Sequence, residues 1–404
     1  MERYLDNFES WSLGDGEPLV AEYEGDLDGT EFATAVNLLG KAYPVVRARV
    51  RYDAGRPVLY APTDSSPKLT VLEGGESALL RAIAANWNPQ KFLVEFTLVR
   101  GTCAGYVVMR MDHSVSDGHS LYALFGELWN IYTALTSGNE VDIRPGASLP
   151  KSHDEVLQTR FSDWNIPNVV TNANYETAAM HPAAVRRVTL DEKDSRNIRN
   201  FAGSNSTTVQ GLVGGAVLVA QRRYIADLYP DSMRGNIPMT CRSSVDLRNR
   251  TKPAIGATET TSLIVAHKSE VSVSQDSDPL AIGRQISTQI KESIANKCML
   301  PPLVGITSRT SSCPESRLLS ASISNVGALN PIVLPGGVRL NIECRLFRAR
   351  EVPCYGAWTI EGRFSLSIGY PSDLFCEQTL NSVTDYICKN LEKFGVSSQT
   401  VLDH

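Results

Sequence analysis

A mixed α/β fold in two halves is what this sequence predicts, and three observations predict it. Strand-like and helix-like periods alternate along most of the chain; a polar, proline-bearing stretch interrupts them once, over about residues 146–182; and the alternation then restarts. With 404 residues, 42% of them hydrophobic and 21% charged, the chain is long enough for two domains that each bury a core. No short-period repeat runs through it.

In the first half, "VAEYEGD" from Val20 alternates as a strand, and "DGTEFATAVNLLGKAYP" follows as a helix. Asp28 and Glu31 fit a capping box, Phe32, Ala35, Leu39 and Ala42 form one apolar stripe, and Pro44 ends the helix. "VVRARVRY" and "PVLYA" read as a hairpin across "DAGR", and "ESALLRAIAANW" as a helix. The strands "FLVEFTLVR" and "AGYVVMRM", joined at "GTC", lead into "HSVSDG". A long helix from His119 to about Leu135 then carries Leu121, Leu124, Phe125, Leu128 and Tyr132 on one face.

After the polar stretch, "AVRRVTL" is a strand and "TTVQGLVGGAVLVAQRRYIADLY" a helix whose glycines permit close packing. Strands follow around "NIPMTCRSSVDL" and "TTSLIVAHK", then a helix over "DPLAIGRQISTQIKESIAN". Strands at "LSASISNVG", "VRLNIEC" and "WTIEGRFSLSIGY" precede a last helix that closes at Gly395.

Charge and composition exclude several function classes. A formal net charge of -5 with scattered basic residues offers no footprint for nucleic acid or an anionic membrane. The acidic start "MERYLDNFESWSLGDGEP" is no secretory signal, and the best apolar run, "GLVGGAVLVA", is about half the ~20 residues a membrane span needs. A cytoplasmic protein is expected. Its eight cysteines show no C-x-x-C or zinc spacing, so they read as reduced thiols. No serine stands on a G-x-S-x-G elbow, and no phosphate-binding G-x-x-x-x-G-K-[ST] is present.

"HSVSDG" is the stretch that carries chemistry. A histidine at a strand end can turn its imidazole into a cleft and, largely neutral at pH 7, accept a proton from a hydroxyl or amine. It can equally be a structural imidazole, and spacing alone leaves both readings open. A buried Asp117 must be paired, most economically with an arginine, and Gly118 suits a tight turn into the helix. Asp112, His113, Asp117 and His119 are close in sequence, yet strand alternation sends neighbours to opposite faces, so no metal site is expected. His119, His153, His181, His267 and His404 read as solvent-facing.

His113, Asp117 and Gly118 match the H-x-x-x-D-G motif of the acyltransferase superfamily with chloramphenicol-acetyltransferase-like domains. That superfamily includes peptide-synthetase condensation domains, plant BAHD acyltransferases, wax ester synthases and polyketide-associated acyltransferases of actinobacteria. "VDLRNRTKPAIGATETT" and "SISNVG" resemble the floor segment and Ser-Asn strand of its polyketide-associated and wax-synthase-like branches. The motif lies about a quarter of the way along, as in two-domain members, so the resemblance spans nearly the whole chain. Condensation domains usually carry a second histidine where this chain has Asp112, and the BAHD "DFGWG" signature is missing. The chain thus looks like a freestanding O-acyltransferase of the polyketide-associated type, serving secondary metabolite biosynthesis.

The resemblance implies two chloramphenicol-acetyltransferase-like α/β domains in a V-shaped pseudo-dimer with a tunnel between them: residues 1–145 with the motif, a crossing segment over 146–182, and residues 183–404. It implies His113 as general base for acyl transfer from a thioester to a hydroxyl. Asp117 would be structural, salt-bridged to Arg248 of the second domain, with Arg242 the rival, and Gly118 would shape the site. Backbone N–H groups near Gly118, with Asn325 and Ser116, are the candidates for holding the oxyanion or substrate. No tightly bound cofactor is implied: acyl-coenzyme A or a phosphopantetheine-linked carrier protein is the donor substrate, a small-molecule alcohol the acceptor, and the chain a monomer. Two other readings stay open, a noncatalytic condensation-like binding module and an N-acylating, amide-forming catalyst.

Overall fold

The computed structural model describes residues 1–167, 181–230, 235–301, 314–344, 348–349, 352–397 and 401–403. The chain begins β1 (Glu2–Tyr4), α1 (Asn7–Ser12), β2 (Gly16–Glu24), α2 (Gly29–Ala42), β3 (Arg49–Asp53), β4 (Arg56–Tyr60), β5 (Lys68–Glu73) and α3 (Glu76–Ala84). It continues through β6 (Val94–Arg100), β7 (Ala104–Asp112), α4 (Gly118–Thr136), α5 (His153–Arg160), β8 (His181–Thr189), α6 (Glu192–Ser204) and α7 (Val209–Leu228). Then come β9 (Ile237–Asp246), β10 (Ile264–Val273), α8 (Pro279–Ala295), β11 (Ser320–Leu329), β12 (Arg339–Cys344) and β13 (Arg348–Ala349). β14 (Cys354–Ile360), β15 (Arg363–Pro371), α9 (Glu377–Glu392) and β16 (Val401–Asp403) complete the order. The mixed α/β class holds.

Contacts divide the chain into two units, and the division is not a single cut. One unit takes Met1–Ser162, Arg248–Leu263 and Asn330–Arg345; the other takes Asp163–Leu247, Ile264–Leu329 and Leu346–His404. Two segments from the second half of the sequence thus pack with the first.

In the first unit, five strands run in the order β12-β2-β7-β6-β5, beside a small sheet β1-β4-β3. β7 is paired along its whole length with β2, from Gly16↔Asp112 to Glu24↔Ala104, and on its other side with β6. Flanked on both edges, it buries Val107, Met109 and Met111 completely. That is why the strand reads as an apolar run and why its end, at Asp112, is a fixed point. α4 buries Leu121, Leu124, Phe125, Leu128, Trp129 and Tyr132. Phe32 of α2 meets Trp129 and Tyr132 edge-on at 6.2 and 6.0 Å, so α2 and α4 pack through the stripes their sequences display. Each such large apolar side chain contributes roughly 1.5–3 kcal/mol on full burial.

Several local expectations change. Val45–Arg47, expected in a strand, form a short 3-10 turn with Pro44, because proline lacks the N–H a ladder needs and Val45 and Val46 bury without one. Asp28 caps α2 by accepting from Thr30 and Glu31 N–H. The reciprocal capping box occurs instead at Asp6 with Glu9 and at Asp117 with Ser120. Residues 153–160 of the expected linker form α5, capped by Ser152, and His153 is buried against Phe8 at 4.6 Å rather than facing solvent. His267 is half-buried, its Nδ1 2.8 Å from Ser293 Oγ, and burial lowers its pKa. His404 and the side chain of His181 lie outside the described residues.

The second unit holds a sheet in the order β10-β9-β11-β14-β15-β8-β13, with β16 also on β8. α7 and α8 cross closely: a Cβ on Gly215 would lie 2.0 Å from Pro279 O, and one on Gly211 2.5 Å from Gly283 O. The "GLVGG" glycines are there for that approach. α6 has no counterpart in the periodicity reading, since only Ile198 and Ala202 of its sparse apolar residues are buried. Among the described residues no helix is long and apolar enough to cross a membrane.

Candidate active site

The motif turn is built where β7 runs out. Asp112 is its last residue, and Asp117 is the N-cap of α4, with φ -137 and ψ 176, so the turn comprises the intervening residues 113–116. Gly118 is the first residue of the helix and does not occupy the left-handed region. The chain is turned by the extended, capping Asp117 and not by glycine's conformational freedom. Asp117 and Ser120 exchange the reciprocal bonds of a capping box: Ser120 N–H donates to Asp117 Oδ1 at 3.1 Å, and Asp117 N–H to Ser120 Oγ at 3.0 Å.

His113 is half-buried, and its Nδ1 is 2.8 Å from the carbonyl oxygen of Ser116. A carbonyl only accepts, so Nδ1 carries the proton and Nε2 is the basic nitrogen. Its backbone N–H donates to Asp15 O at 2.7 Å, which ties the residue to the loop before β2.

Asp117 faces a cation. Arg248 Nη1 donates to its Oδ2 at 2.5 Å, and Leu263 N–H donates to the same oxygen at 2.9 Å. The pair is nearly solvent-free, with side-chain exposures of 1% for Asp117 and 3% for Arg248. Arg248 Nη2 also donates to Glu259 O at 3.1 Å and Thr261 O at 2.9 Å. Burial works to raise the Asp117 carboxyl, but the guanidinium charge and the donated hydrogen bonds outweigh it and hold the group below its ordinary value. The bridge is internal to the first unit, because Arg248 packs there despite its place in the sequence. Arg242, on β9 of the second unit, donates instead to Ser322 Oγ at 3.2 Å.

The other expected residues fall differently. Ser116 is buried, and its hydroxyl donates to Asp112 O at 2.9 Å while its carbonyl holds His113. Its single hydroxyl proton is thus donated within the turn. Asn325 belongs to the second unit, at an irregularity in the β11 register, where its Oδ1 accepts from Gly327 N–H at 2.9 Å. His119 is half-buried in the first turn of α4. Among the described residues, Asp6, His153 and Asp154 have ligand atoms within 4.8 Å of one another. Asp6 uses Oδ1 to cap α1 and Oδ2 to accept from Asp154 N–H.

Asp112 stood in the sequence only as a departure from the condensation pattern. It is fully buried, and its carboxylate accepts from Gly14 N–H at 2.9 Å, Trp87 Nε1 at 2.7 Å, Ser114 N–H at 3.1 Å and Ser114 Oγ at 2.6 Å. Burial, only partly offset by these bonds, pushes its pKa up to about 6. The juxtaposition "DH" at a strand end was visible; nothing local linked it to Trp87 or Gly14.

Comparison with known proteins matches both halves. The family model for the C-terminus of phthiocerol/phthiodiolone dimycocerosyl transferase matches residues 179–368, and the condensation-domain model matches residues 16–153. The phthiocerol/phthiodiolone dimycocerosyl transferase of Mycobacterium ulcerans (strain Agy99) is 21% identical over 397 residues, covering 93% of each chain. The protein of the same name from Mycobacterium leprae (strain TN) is 23% identical over 380 residues, covering 88% of this chain and 84% of its own. Among solved structures, polyketide synthase associated protein 5 from Mycobacterium tuberculosis shares the fold with a TM-score of 0.73 at 17% identity, covering 96% of this chain and 97% of that one. The first condensation domain of the CDA synthetase does so with a TM-score of 0.70 at 13% identity, covering 100% and 99%. With a condensation-domain match over the motif half, an acyltransferase match over the rest and relatives aligned nearly end to end, the chain belongs to the condensation-like acyltransferase superfamily.

Proposed function

We propose that this chain is an O-acyltransferase that moves an acyl group from a thioester, carried on coenzyme A or an acyl carrier protein, to a hydroxyl of a polyketide, lipid or similar natural product. The observation that carries the reading is the bond between His113 Nδ1 and Ser116 O, because it makes Nε2 the basic nitrogen. Named transferases among the relatives support the acyl-transfer class.

In this reading Nε2 of His113 takes the proton of the acceptor hydroxyl as its oxygen bonds to the thioester carbonyl carbon. The tetrahedral intermediate collapses, the C–S bond breaks, and the imidazolium returns the proton to the departing thiolate. General-base help of this kind is worth about 10²–10⁴ in rate. The Gly118 N–H, in the first turn of α4, lies at the positive end of the helix dipole and is the candidate oxyanion donor. Asp117 and Arg248 hold the start of that helix and take no part in proton transfer.

A mass-spectrometric screen of acyl-coenzyme A donors against pooled hydroxylated metabolites and matched amines tests the proposal, with wild type beside His113→Ala. Ester product from wild type, reduced at least about 100-fold in the variant, is the expected result. Equal product from both overturns the base assignment, amide product in place of ester selects the N-acylating reading, and binding without turnover selects the noncatalytic one.

A further inference from the structure

We propose that Asp112 is the positioning residue for His113: its buried carboxylate fixes the place and ring orientation of the imidazole without touching substrate. This rests on the reading of His113 as the base, and goes beyond it to say what holds the base in place.

Two routes connect Asp112 to His113. The first runs through the loop before β2: Oδ2 accepts from Gly14 N–H at 2.9 Å, and the next residue, Asp15, offers the carbonyl that receives the His113 N–H at 2.7 Å. The second runs through the turn: Oδ1 accepts from Ser114 Oγ at 2.6 Å and Ser114 N–H at 3.1 Å, which fixes the residue after His113, while the main-chain carbonyl of Asp112 receives Ser116 Oγ at 2.9 Å and Ser116 O receives His113 Nδ1 at 2.8 Å. The carboxylate therefore pins the chain on both sides of the His113 backbone, at Gly14 and at Ser114, and through Ser114 the turn whose Ser116 carbonyl holds the ring.

The indole of Trp87 completes the arrangement. It donates to Oδ2 at 2.7 Å and is itself fixed by Phe92, edge-on at 5.3 Å, and by the Arg110 guanidinium, 5.4 Å from its ring. Arg110 is on the same strand as Asp112, and its guanidinium donates to the carbonyls of Ala85 and Ile83. Asp15 and His113 adjoin Gly14 and Asp112 in sequence, and Glu95 of β6 stands opposite Arg110 in the sheet. An uncharged Asp112 would accept fewer hydrogen bonds, and a misplacement of about 1 Å at a reacting group can cost on the order of 100-fold in rate.

The test uses the full chain with hexadecanoyl-coenzyme A and 1-octanol as probes. Asp112→Asn is expected to lower kcat on the order of 10- to 100-fold while KM moves less than about threefold, and Trp87→Phe to lower kcat in the same direction by less. An arm that needs no turnover reads ¹⁵N-labelled histidine and tryptophan by NMR, with His113 assigned from His113→Ala. Wild type should show His113 as the Nδ1–H tautomer and a Trp87 indole resonance that titrates near the Asp112 value of about 6. In Asp112→Asn the indole titration should vanish and the His113 signals should move toward mixed tautomers. Wild-type His113 signals in a folded Asp112→Asn variant overturn the proposal, as does a kcat within about twofold of wild type where turnover is measurable. Should Asp112→Asn not fold, Trp87→Phe with wild-type His113 signals overturns it. Full activity in His113→Ala instead removes the base reading and leaves the NMR arm to judge the positioning.

Discussion

Asp112 and Asp117 bracket one turn, and both are buried, yet their surroundings push them in opposite directions. Asp117 meets the Arg248 guanidinium at 2.5 Å and is held below its ordinary value; Asp112 is met by an indole, a hydroxyl and two backbone N–H groups and is pushed up to about 6. Hydrogen bonds alone do not offset the desolvation of a carboxylate here, whereas a cation in contact does. The two carboxylates that bracket the turn are therefore held differently, one against a cation and the other by hydrogen bonds alone.

The largest expected effect would come from breaking the contact with the cation. Asp117→Ala leaves Arg248 buried without its carboxylate and should cost about 3–5 kcal/mol of stability, read as a lowered urea midpoint. Combining it with Arg248→Met should restore part of the loss. If Asp112→Ala costs as much as Asp117→Ala, the contrast between the two ends is wrong.

Next in size is the pH dependence, whose sign differs between the ends. The folded value of Asp112, about 6, lies above its ordinary 3.8, so its contribution is fully present below about pH 4 and lost as pH rises through 6. A shift of that size corresponds to about 3 kcal/mol. The folded value of Asp117 lies below 3.8, so its contribution is present above that pH and is lost as pH falls through the folded value. Urea unfolding between about pH 4.5 and 7.5 should show wild type gaining on Asp112→Asn as pH falls, and a flat difference would refute the assignment.

Smaller effects sharpen the picture. Ser116→Ala removes the bond to Asp112 O and should cost about 1 kcal/mol, with a smaller loss of kcat than Asp112→Asn. Asp28→Ala, at the N-cap of α2, should also cost about 1 kcal/mol but leave the His113 NMR signals unmoved. That variant separates general loosening from loss of position.

Much of the local structure was legible. The stripe Leu121, Leu124, Phe125, Leu128 and Tyr132 is buried as read; "DAGR" turns the β3–β4 hairpin with Ala54 and Gly55 at φ 47 and 81; and Gly395, at φ 83, follows the last helix. Each signal depends on neighbours within a few residues, where periodicity and turn chemistry act. The site was legible only in part. "HSVSDG" and "VDLR" were noticed and pointed to Arg248 with Arg242 as the rival, but that Arg248 meets Asp117 inside the first unit, and not from a second domain, depended on which segment packs in which unit.

Sequence alone determined the α/β class, the strand "AGYVVMRM" that leads into the motif, a helix from about His119 and the side-chain types able to move a proton. Tertiary structure decided that Arg248–Leu263 joins the first unit, that β12 pairs with β2, that His153 is buried, and that Trp87 and Gly14 close on Asp112. The physical reason is range. Periods and caps are set by interactions a few residues apart, whereas a buried carboxylate takes its charge state from whichever groups folding brings against it, and those are distant in the chain.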